Sequence, residues 1–485
     1  MSSMDSTRPG VIAGRSDAWG ASAIAPMSRV LGTIGVTYLL LLLVSATNLA
    51  DPFLRNDDYL ALLALPDGFY SKTLHEGRWL NYWWHLRGIV TPAWLNFALY
   101  QLFWAAFCGA TAIIACGRGA TWRTVLTLSG LLALSVPALL ISLWFNTLLP
   151  GIAILALYAV LATQVSQRVS RLLLLIFVPI TLTAYTTYPI LLLCLCLAAR
   201  DTRRSWTDLA TVLCLFGLAF GLGIVGIYTL NLIEHGIFGI PMAEWRDPRP
   251  ATDWASLMAN TRMLAQSMWD GALAAGFQNT TVTVVGIALF LGAMVVLART
   301  DRWSALYLMT GLGAGLALLS LQVLLTGITL PHRTLGFACM IAAIAVVRAQ
   351  LEAQEHGLPS ARALQLGALT ILAAHAILTP KQYASYLPWQ QETRAMADIL
   401  NAGHGPLYVT GDYDALNSAR SAHLQAPQAL RLRLYHLTGR RIVVCSETPD
   451  RCGSFAPYDG PRPHMVQGDD AMVLYLPVKA ESPDG

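Results

Sequence analysis

Long stretches of the sequence contain no charged residue, and this feature limits the possible folds more than any other. Between Arg123 and Arg168 lie 44 residues without one Asp, Glu, Lys or Arg. A helix crosses the hydrocarbon core of a bilayer with about 20 apolar residues. This stretch therefore has the length of two spans, with Asn146 and Pro150 marking the expected turn. Only 12% of the chain is charged, against about 25% in soluble domains. The sequence predicts a polytopic integral membrane protein.

Basic residues between the apolar stretches predict how the chain is threaded. Lys and Arg concentrate in cytoplasmic loops, and Arg29 precedes the first apolar stretch, so the N-terminus is expected in the cytoplasm. Between Arg171 and Arg200 lie 28 uncharged residues, which are long for one span and short for two. Because both ends of this segment are basic, two short helices meeting near 185–189 are expected. The prediction is an all-α membrane bundle of about 11 transmembrane helices.

The chain divides into three parts by composition. Residues 1–28 are polar and rich in Ala, Gly and Ser, and are predicted to be a disordered cytoplasmic tail. Residues 29–380 hold the apolar stretches, and the threading leaves a first external loop at 50–92 and a second at 232–280. Residues 386–485 are expected to form a small α/β domain outside the cytoplasm.

Short β-type runs alternate with helical stretches in this C-terminal part. The runs are 406–410, 441–445 and 471–477, and the helical stretches lie near 389–401 and 426–438. Cys445 and Cys452 enclose a short polar loop. One interpretation is a disulfide, which fits an oxidising compartment. The other is a pair of free thiols, because such a spacing is common.

The first external loop opens with two adjacent carboxylates, Asp57 and Asp58. Charges at a membrane surface are costly unless they are solvated, paired or used. A transferase that takes a sugar from a lipid phosphate needs a carboxylate there, either to deprotonate the acceptor hydroxyl or to hold a divalent cation. It also needs cations for the departing phosphate, and arginine offers a planar fork of donors. Arg78, and His332 with Arg333 before a late span, are the candidates.

Each of these residues also has a structural interpretation. Asp57 and Asp58 could cap the helix that follows them. Arg78 could extend its charge from the interface to water, and His332 with Arg333 could anchor a helix end.

Four further residues are candidates for an acceptor site. Glu234 and His235 are polar residues of the second external loop, for which a solvated loop is the default interpretation. Tyr185 and Tyr188 lie at the expected turn between the two short helices.

The pattern resembles the GT-C superfamily, and within it the bacterial membrane glucosyltransferases that modify O-antigen or related glycans. The matching segments are Asn56-Asp57-Asp58, Gly77-Arg78-Trp79-Leu80, Tyr185 to Pro189, and Arg333-Thr334-Leu335-Gly336. The resemblance implies a polyprenyl-phosphate sugar as donor, inversion at the anomeric centre, and a first-loop aspartate as base. The chain departs from the pattern at Tyr59, where tryptophan would match better, and in its C-terminal domain.

The resulting hypothesis is a glycosyltransferase of the bacterial inner membrane with a periplasmic C-terminal domain. It would move a hexose, with glucose suggested by the resemblance, from a polyprenyl-phosphate carrier to an envelope glycan or lipid at the outer face. The bilayer is an expected partner and nucleic acid is not. No cofactor is assigned, although Asp57 and Asp58 leave a divalent cation open. The alternatives are an O-antigen-type polymerase or ligase, and a lipid-linked-sugar transporter or flippase.

Overall fold

Helices form most of the chain, as the apolar stretches predict. The computed structural model describes residues 25–55, 58–424, 426–452, 462–468 and 471–477, together with residues 455, 458 and 460. The α-helices in this part of the chain are α1 (Met27–Val44), α2 (Ala46–Leu49), α3 (Asp58–Leu62), α4 (Asp67–Glu76), α5 (Trp79–His85), α6 (Ala93–Cys116), α7 (Trp122–Ala133), α8 (Val136–Ser142), α9 (Phe145–Ala162), α10 (Gln167–Leu182), α11 (Tyr188–Ala198), α12 (Trp206–His235), α13 (Trp254–Ala275), α14 (Thr280–Thr300), α15 (Arg302–Thr326), α16 (Gly336–Glu355), α17 (Ser360–Ala384), α18 (Leu387–Ala402), α19 (Asn417–Ser421) and α20 (Gln428–Thr438). The predicted tail 1–28 falls almost wholly outside the described residues.

Eight helices of the described part are long and apolar enough to cross a membrane, and α7 with α8 makes a ninth if this pair, bent by 53°, is one span. The predicted number of about 11 spans is not reached on this basis. The difference lies in α10 and α11, the pair predicted to meet near Tyr185. They have 16 and 11 residues, fewer than the roughly 20 that cross a bilayer directly.

Two elements differ from the sequence prediction. The break before α9 falls at Leu143 and Trp144, whereas Asn146 and Pro150 were expected to mark it. Pro150 lies inside α9 near its N-terminal end, where the missing N–H removes only one bond of the helix. The second loop, predicted at 232–280, contains the 22-residue helix α13.

At one end of the helices, buried Arg348 joins three elements. Its guanidinium donates to the carbonyl of Ala115 at 2.6 and 3.1 Å, to the carbonyl of Ala198, and to Ser304 Oγ at 2.9 Å. The last carbonyls of a helix have no partner within it, so this cation satisfies the C-terminal ends of α6 and α11. Arg200 lies in the same region and pairs with Glu352 at 2.9 Å. Arg348 and Arg200 thus join these helix ends through hydrogen bonds and an ion pair.

The C-terminal part forms a small sheet with helices, as predicted. Its strands in the described residues are β1 (Leu407–Thr410), β2 (Ile442–Val444), β3 (His464–Gln467) and β4 (Met472–Tyr475), in the order β2-β1-β4-β3. β1 is parallel to β2 and β4, and β3 is antiparallel to β4. The sequence predicted three of these strands but not the exposed edge strand β3. A disulfide joins Cys445 to Cys452, the first of the two interpretations of that pair.

The C-terminal domain is held to the first loop by a buried ion pair. Asp51 accepts two hydrogen bonds from Arg433 at 2.7 and 2.5 Å, and Arg394 lies 3.0 Å away. Arg433 is 1% exposed. Burial opposes ionisation of Asp51, but the bonds and charges of the two arginines outweigh it and hold the pKa of Asp51 below its ordinary value. Phe53 stacks on Tyr386 beside this pair at 4.2 Å.

Asp51→Asn is expected to destabilise the protein by about 3–5 kcal/mol, because it leaves the Arg433 charge buried without its counter-charge. Asp247 provides a matched control, since it pairs with Arg249 at 2.5 Å while both side chains are mostly exposed. Asp247→Asn should cost less than about 1 kcal/mol. Thermal and denaturant unfolding in detergent compare the two variants. Equal losses would show that the buried pair does not hold the domain.

Candidate functional site

The Asp58 carboxylate lies at the N-terminal end of α9. It is fully buried and accepts hydrogen bonds from the backbone N–H of Thr147 at 2.7 Å and of Asn146 at 3.2 Å. The side-chain amide of Asn146 donates a third at 2.8 Å. These N–H groups have no partner inside the helix, and the helix dipole favours a negative charge there. The aspartate therefore does cap a helix, but one 88 residues further along the chain.

Burial raises the pKa of Asp58 to about 7, while the bonds from Thr147 and Asn146 act in the opposite direction. A carboxyl with a pKa in this range gains and loses its proton near neutral pH. All three hydrogen bonds nevertheless hold its two oxygens inside the protein. The carboxylate fixes the first loop to α9 in this arrangement. Asp57 lies outside the described residues.

Arg333 and Arg55 approach the same helix end through an aromatic ring. The Arg333 guanidinium lies 4.1 Å from the centre of the Trp144 ring, and that of Arg55 lies 5.7 Å from it. Trp144 immediately precedes α9 and is two residues from Asn146. Asp58 and Arg333, far apart in sequence, thus each contact the short segment 144–147. Cation–π contact in a partly dry setting contributes about 0.5–2 kcal/mol.

No carboxylate pairs with Arg333 among the residues that the structure describes. His332 is half-buried and precedes Arg333 in a short 3-10 turn between α15 and α16. This turn packs against α8, which leads into Trp144. The structure therefore brings His332 and Arg333 to the region of Asp58.

Arg78 belongs to a second group, at the turn between α10 and α11. Its guanidinium lies 5.5 Å from the Tyr185 ring centre, and its Nε is 2.5 Å from Glu76 Oε2. The other oxygen of Glu76 lies 3.0 Å from Arg246, in the second loop. Glu76 is thus held between two arginines from different loops. Local sequence patterns could not reveal this pairing, because 76 and 246 are distant in the chain.

Helix α9 connects the two groups. Thr147, which binds Asp58, is one turn from Gly151 on the same face of the helix. A Cβ at Gly151 would lie 2.6 Å from that of Ala184 and 2.9 Å from the Tyr188 ring. Glycine is therefore needed for this close approach. The Tyr188 and Tyr185 ring centres are 5.3 Å apart, which extends the contact to the neighbourhood of Arg78.

Glu234 and His235 lie at the end of α12, against α4 of the first loop. The backbone carbonyl of Glu234 accepts from Tyr70 at 3.1 Å, and its side chain is exposed. His235 Nε2 is 2.7 Å from Thr73 Oγ1, and its ring lies 4.4 Å from that of Tyr70. These contacts fix the first loop to α12. The structure does not join Glu234 or His235 to the group around Asp58.

His85 is a buried polar residue that the sequence analysis did not single out. It is 1% exposed, and neither ring nitrogen has a hydrogen-bond partner among the described residues. Burial, with a smaller effect of Arg87, lowers the pKa of His85 to about 3, so the ring is neutral at physiological pH. Its ring stacks on Phe69 at 4.6 Å. The only sequence signal is its place at the end of an aromatic run.

His85 shares one face of α5 with Asn81, one turn earlier. Asn81 is also buried and donates to the carbonyl of Ala184 at 3.0 Å. Since Ala184 adjoins Gly151 of α9, this polar face of α5 packs near the part of α9 that connects the group around Asp58 with the group around Arg78.

Within the described part of the chain, no three His, Cys, Asp or Glu side chains form a cluster that could hold a metal ion. Asp58 uses its oxygens for α9, and the second proposed ligand, Asp57, lies outside that part. The described residues thus add no support for the divalent-cation alternative.

Comparison with known proteins does not identify a family. The chain matches no protein-family model and no curated protein.

The raised pKa of Asp58 predicts a specific pH dependence of stability. Because its folded-state pKa of about 7 exceeds the ordinary 3.8, ionisation is disfavoured in the folded protein. The stabilising contribution of Asp58 to the free energy of unfolding is fully present below about pH 4, and it is lost as the pH rises through about 7. The unfolding temperature of wild type minus that of Asp58→Asn, measured from pH 4 to 8, should fall over this window. A pH-independent difference would contradict the assignment.

His85→Phe should leave the unfolding temperature equal or higher at pH 7, because an unpartnered buried imidazole is replaced by an apolar ring. The lowered pKa of His85 makes wild type lose stability as pH falls from about 6.5 toward 3, since only the unfolded chain binds the proton there. His85→Phe should remove this part of the acid sensitivity. Clear destabilisation at pH 7 would instead indicate that the imidazole makes a required polar contact.

Proposed function

We propose that this protein is a membrane glycosyltransferase of the GT-C type, using a polyprenyl-phosphate sugar as donor. The observation that carries the proposal is that Asp58 and Arg333 both contact the segment at the N-terminal end of α9, through Thr147 and Trp144 respectively. This chemistry requires a first-loop acid and a cationic residue at one place, and Asp58 holds its own segment of the first loop at the end of α9.

The two acids of the first loop take different roles in this proposal. Asp57 is the base that accepts the proton of the acceptor hydroxyl. Asp58 is a positioning residue, because its oxygens bind Asn146 and Thr147 and thereby fix the loop. Support for this division comes from the complete burial of Asp58.

Arg333 and Arg78 bind the lipid phosphate, with His332 beside Arg333. The face of the Arg333 guanidinium rests on Trp144, and its donors lie in the plane of the group, as phosphate binding requires. A tryptophan stack also restricts the side chain before the ligand arrives, which lowers the entropy cost of binding.

In the proposed reaction, the acceptor hydroxyl oxygen attacks the anomeric carbon of the hexose. The bond from that carbon to the phosphate oxygen breaks, and the electron pair leaves on polyprenyl phosphate. The hydroxyl proton passes to Asp57, and the configuration inverts because the nucleophile enters opposite the leaving group. The arginines stabilise the negative charge on the departing phosphate.

The proposed site faces the outer side of the bacterial inner membrane. This orientation places the basic end around Arg348 in the cytoplasm and the Cys445–Cys452 disulfide in an oxidising compartment. Nine and 11 crossings are both odd, so either number places the two ends of the chain on opposite sides of the membrane. The proposal takes 11, with α10 and α11 among them. Because these two helices are short, they would cross only where the bilayer is thinned or where neighbouring helices surround them. The acceptor is an envelope glycan or lipid.

The proposal predicts that purified protein releases polyprenyl phosphate from short-chain polyprenyl-phosphate glucose, tested with and without envelope extract as acceptor. Asp57→Asn should slow release by about 100-fold or more, as loss of a general base does. Arg333→Gln should slow it by a similar factor of about 100. Asp67→Asn, at an exposed acid of the same loop, is the control and should retain full rate.

Unfolding temperatures of the variants separate a chemical effect from misfolding. Asp57→Asn should unfold like wild type, whereas Asp58→Asn should lose activity together with stability. Full turnover by Asp57→Asn would remove it from the mechanism. Loss of activity in the His332 and Arg333 variants alone, with full activity in the Asp57 variant, would favour the polymerase or ligase alternative. Donor transport across vesicles without release would favour a flippase.

A further inference from the structure

A cavity of about 370 Å³ lies between the C-terminal domain and the first loop, and none of its lining residues belongs to the groups around α9. We call it the basic cavity. Its lining residues are Leu65, Arg431, Leu432, Tyr435, Arg441, Ile442, Val443, Val444, Glu447, Thr448 and Arg451. Pockets for small ligands have volumes of about 300–1,000 Å³. The basic cavity therefore suits one compact ligand and is too small for an extended glycan chain.

Two of its three arginines have no counter-charge among the described residues. Arg431 pairs with Glu447 at 2.8 Å. Arg441 and Arg451 are exposed at the rim, and no carboxylate pairs with either of them in the described ranges. The cavity thus keeps an excess of positive charge above a floor made by the apolar residues of β2. An amphipathic anion matches this combination.

Two features fix the walls of the basic cavity. The disulfide between Cys445 and Cys452 closes the short segment that carries Glu447, Thr448 and Arg451. A covalent link across so short a loop limits where the Arg451 backbone can move.

Helix α20 forms the opposite wall through Arg431 and Tyr435, which are one turn apart and share a face. Arg433, between them in sequence, turns away and is bound to Asp51. The ion pair with the first loop therefore holds the helix that carries this wall.

We propose that the basic cavity binds a sugar phosphate. Guanidinium groups match the geometry of phosphate oxygens and bind them through charge-assisted hydrogen bonds. The half-exposed Tyr435 ring and the apolar floor offer a surface for the sugar ring. This site is distinct from the donor site proposed above, since it shares none of its residues. The proposal does not rest on the transferase activity.

Isothermal titration of the full chain in a non-ionic detergent tests the proposal, with glucose 1-phosphate as the probe. Wild type should bind it, and glucose without phosphate should not compete. Arg441→Gln combined with Arg451→Gln should weaken binding at least about tenfold, because two charge-assisted contacts are lost. Arg420→Gln changes an exposed arginine elsewhere on the domain, and should leave affinity unchanged.

Two further variants separate this site from its surroundings. Arg333→Gln should keep full affinity, and an equal loss there would place the ligand at the proposed donor site and overturn the inference. Cys445→Ser with Cys452→Ser should weaken binding while leaving the protein folded, because the loop that carries Arg451 is then no longer closed. The rim arginines are exposed, so unfolding temperatures of their variants should match wild type.

Unchanged affinity in the double glutamine variant would overturn the proposal, and so would an equal loss in Arg420→Gln. A phosphate could also belong to a lipid headgroup. Nanodiscs containing phosphatidylglycerol are therefore added as competitor, with phosphatidylcholine nanodiscs as control. Displacement of glucose 1-phosphate by phosphatidylglycerol alone would assign the cavity to a lipid and overturn the sugar assignment.

Discussion

The contact between the Asp58 carboxylate and the N-terminal end of α9 is the interaction on which the first loop depends. A buried carboxylate is stable only when donors replace the water that it loses. Here two backbone N–H groups and the amide of Asn146 supply them. Trp144 directly precedes α9, and Gly151 lies in α9 one turn after Thr147. The contact of Asp58 with α9 therefore places the first loop beside both the group of Arg333 and the group of Arg78.

The sequence was sufficient for features that depend on local composition. Uncharged stretches located most of the long helices, and short β-type runs located β1, β2 and β4. The sequence pointed to Asp58, Arg78 and Arg333 because charged side chains near a membrane are costly and are often functional. The edge strand β3 escaped prediction, because its side chains are mostly exposed and lack the apolar alternation of a half-buried strand.

Contacts between distant residues could not be predicted. Nothing near Asp58 indicates that its partner is a helix end 88 residues away. Glu76 is bound by Arg246 and Asp51 by Arg433, and each pair joins segments with no common pattern. His85 was missed for another reason. A histidine in an aromatic run looks like part of a membrane belt, and only its burial without a partner distinguishes it.

The two arginines proposed to bind phosphate differ in whether a carboxylate already occupies their hydrogen-bond donors. Arg333 meets Trp144 through its face, and no described carboxylate competes for its donors. Arg78 instead has Glu76 at 2.5 Å, and Glu76 also holds Arg246 of the second loop. If a phosphate binds Arg78, it must replace or share the contact with Glu76. That exchange would also weaken the contact between Glu76 and Arg246. Donor binding at the first loop would therefore affect the second loop. In the proposed enzyme, these two ionic contacts link donor binding at Arg78 to the position of the second loop.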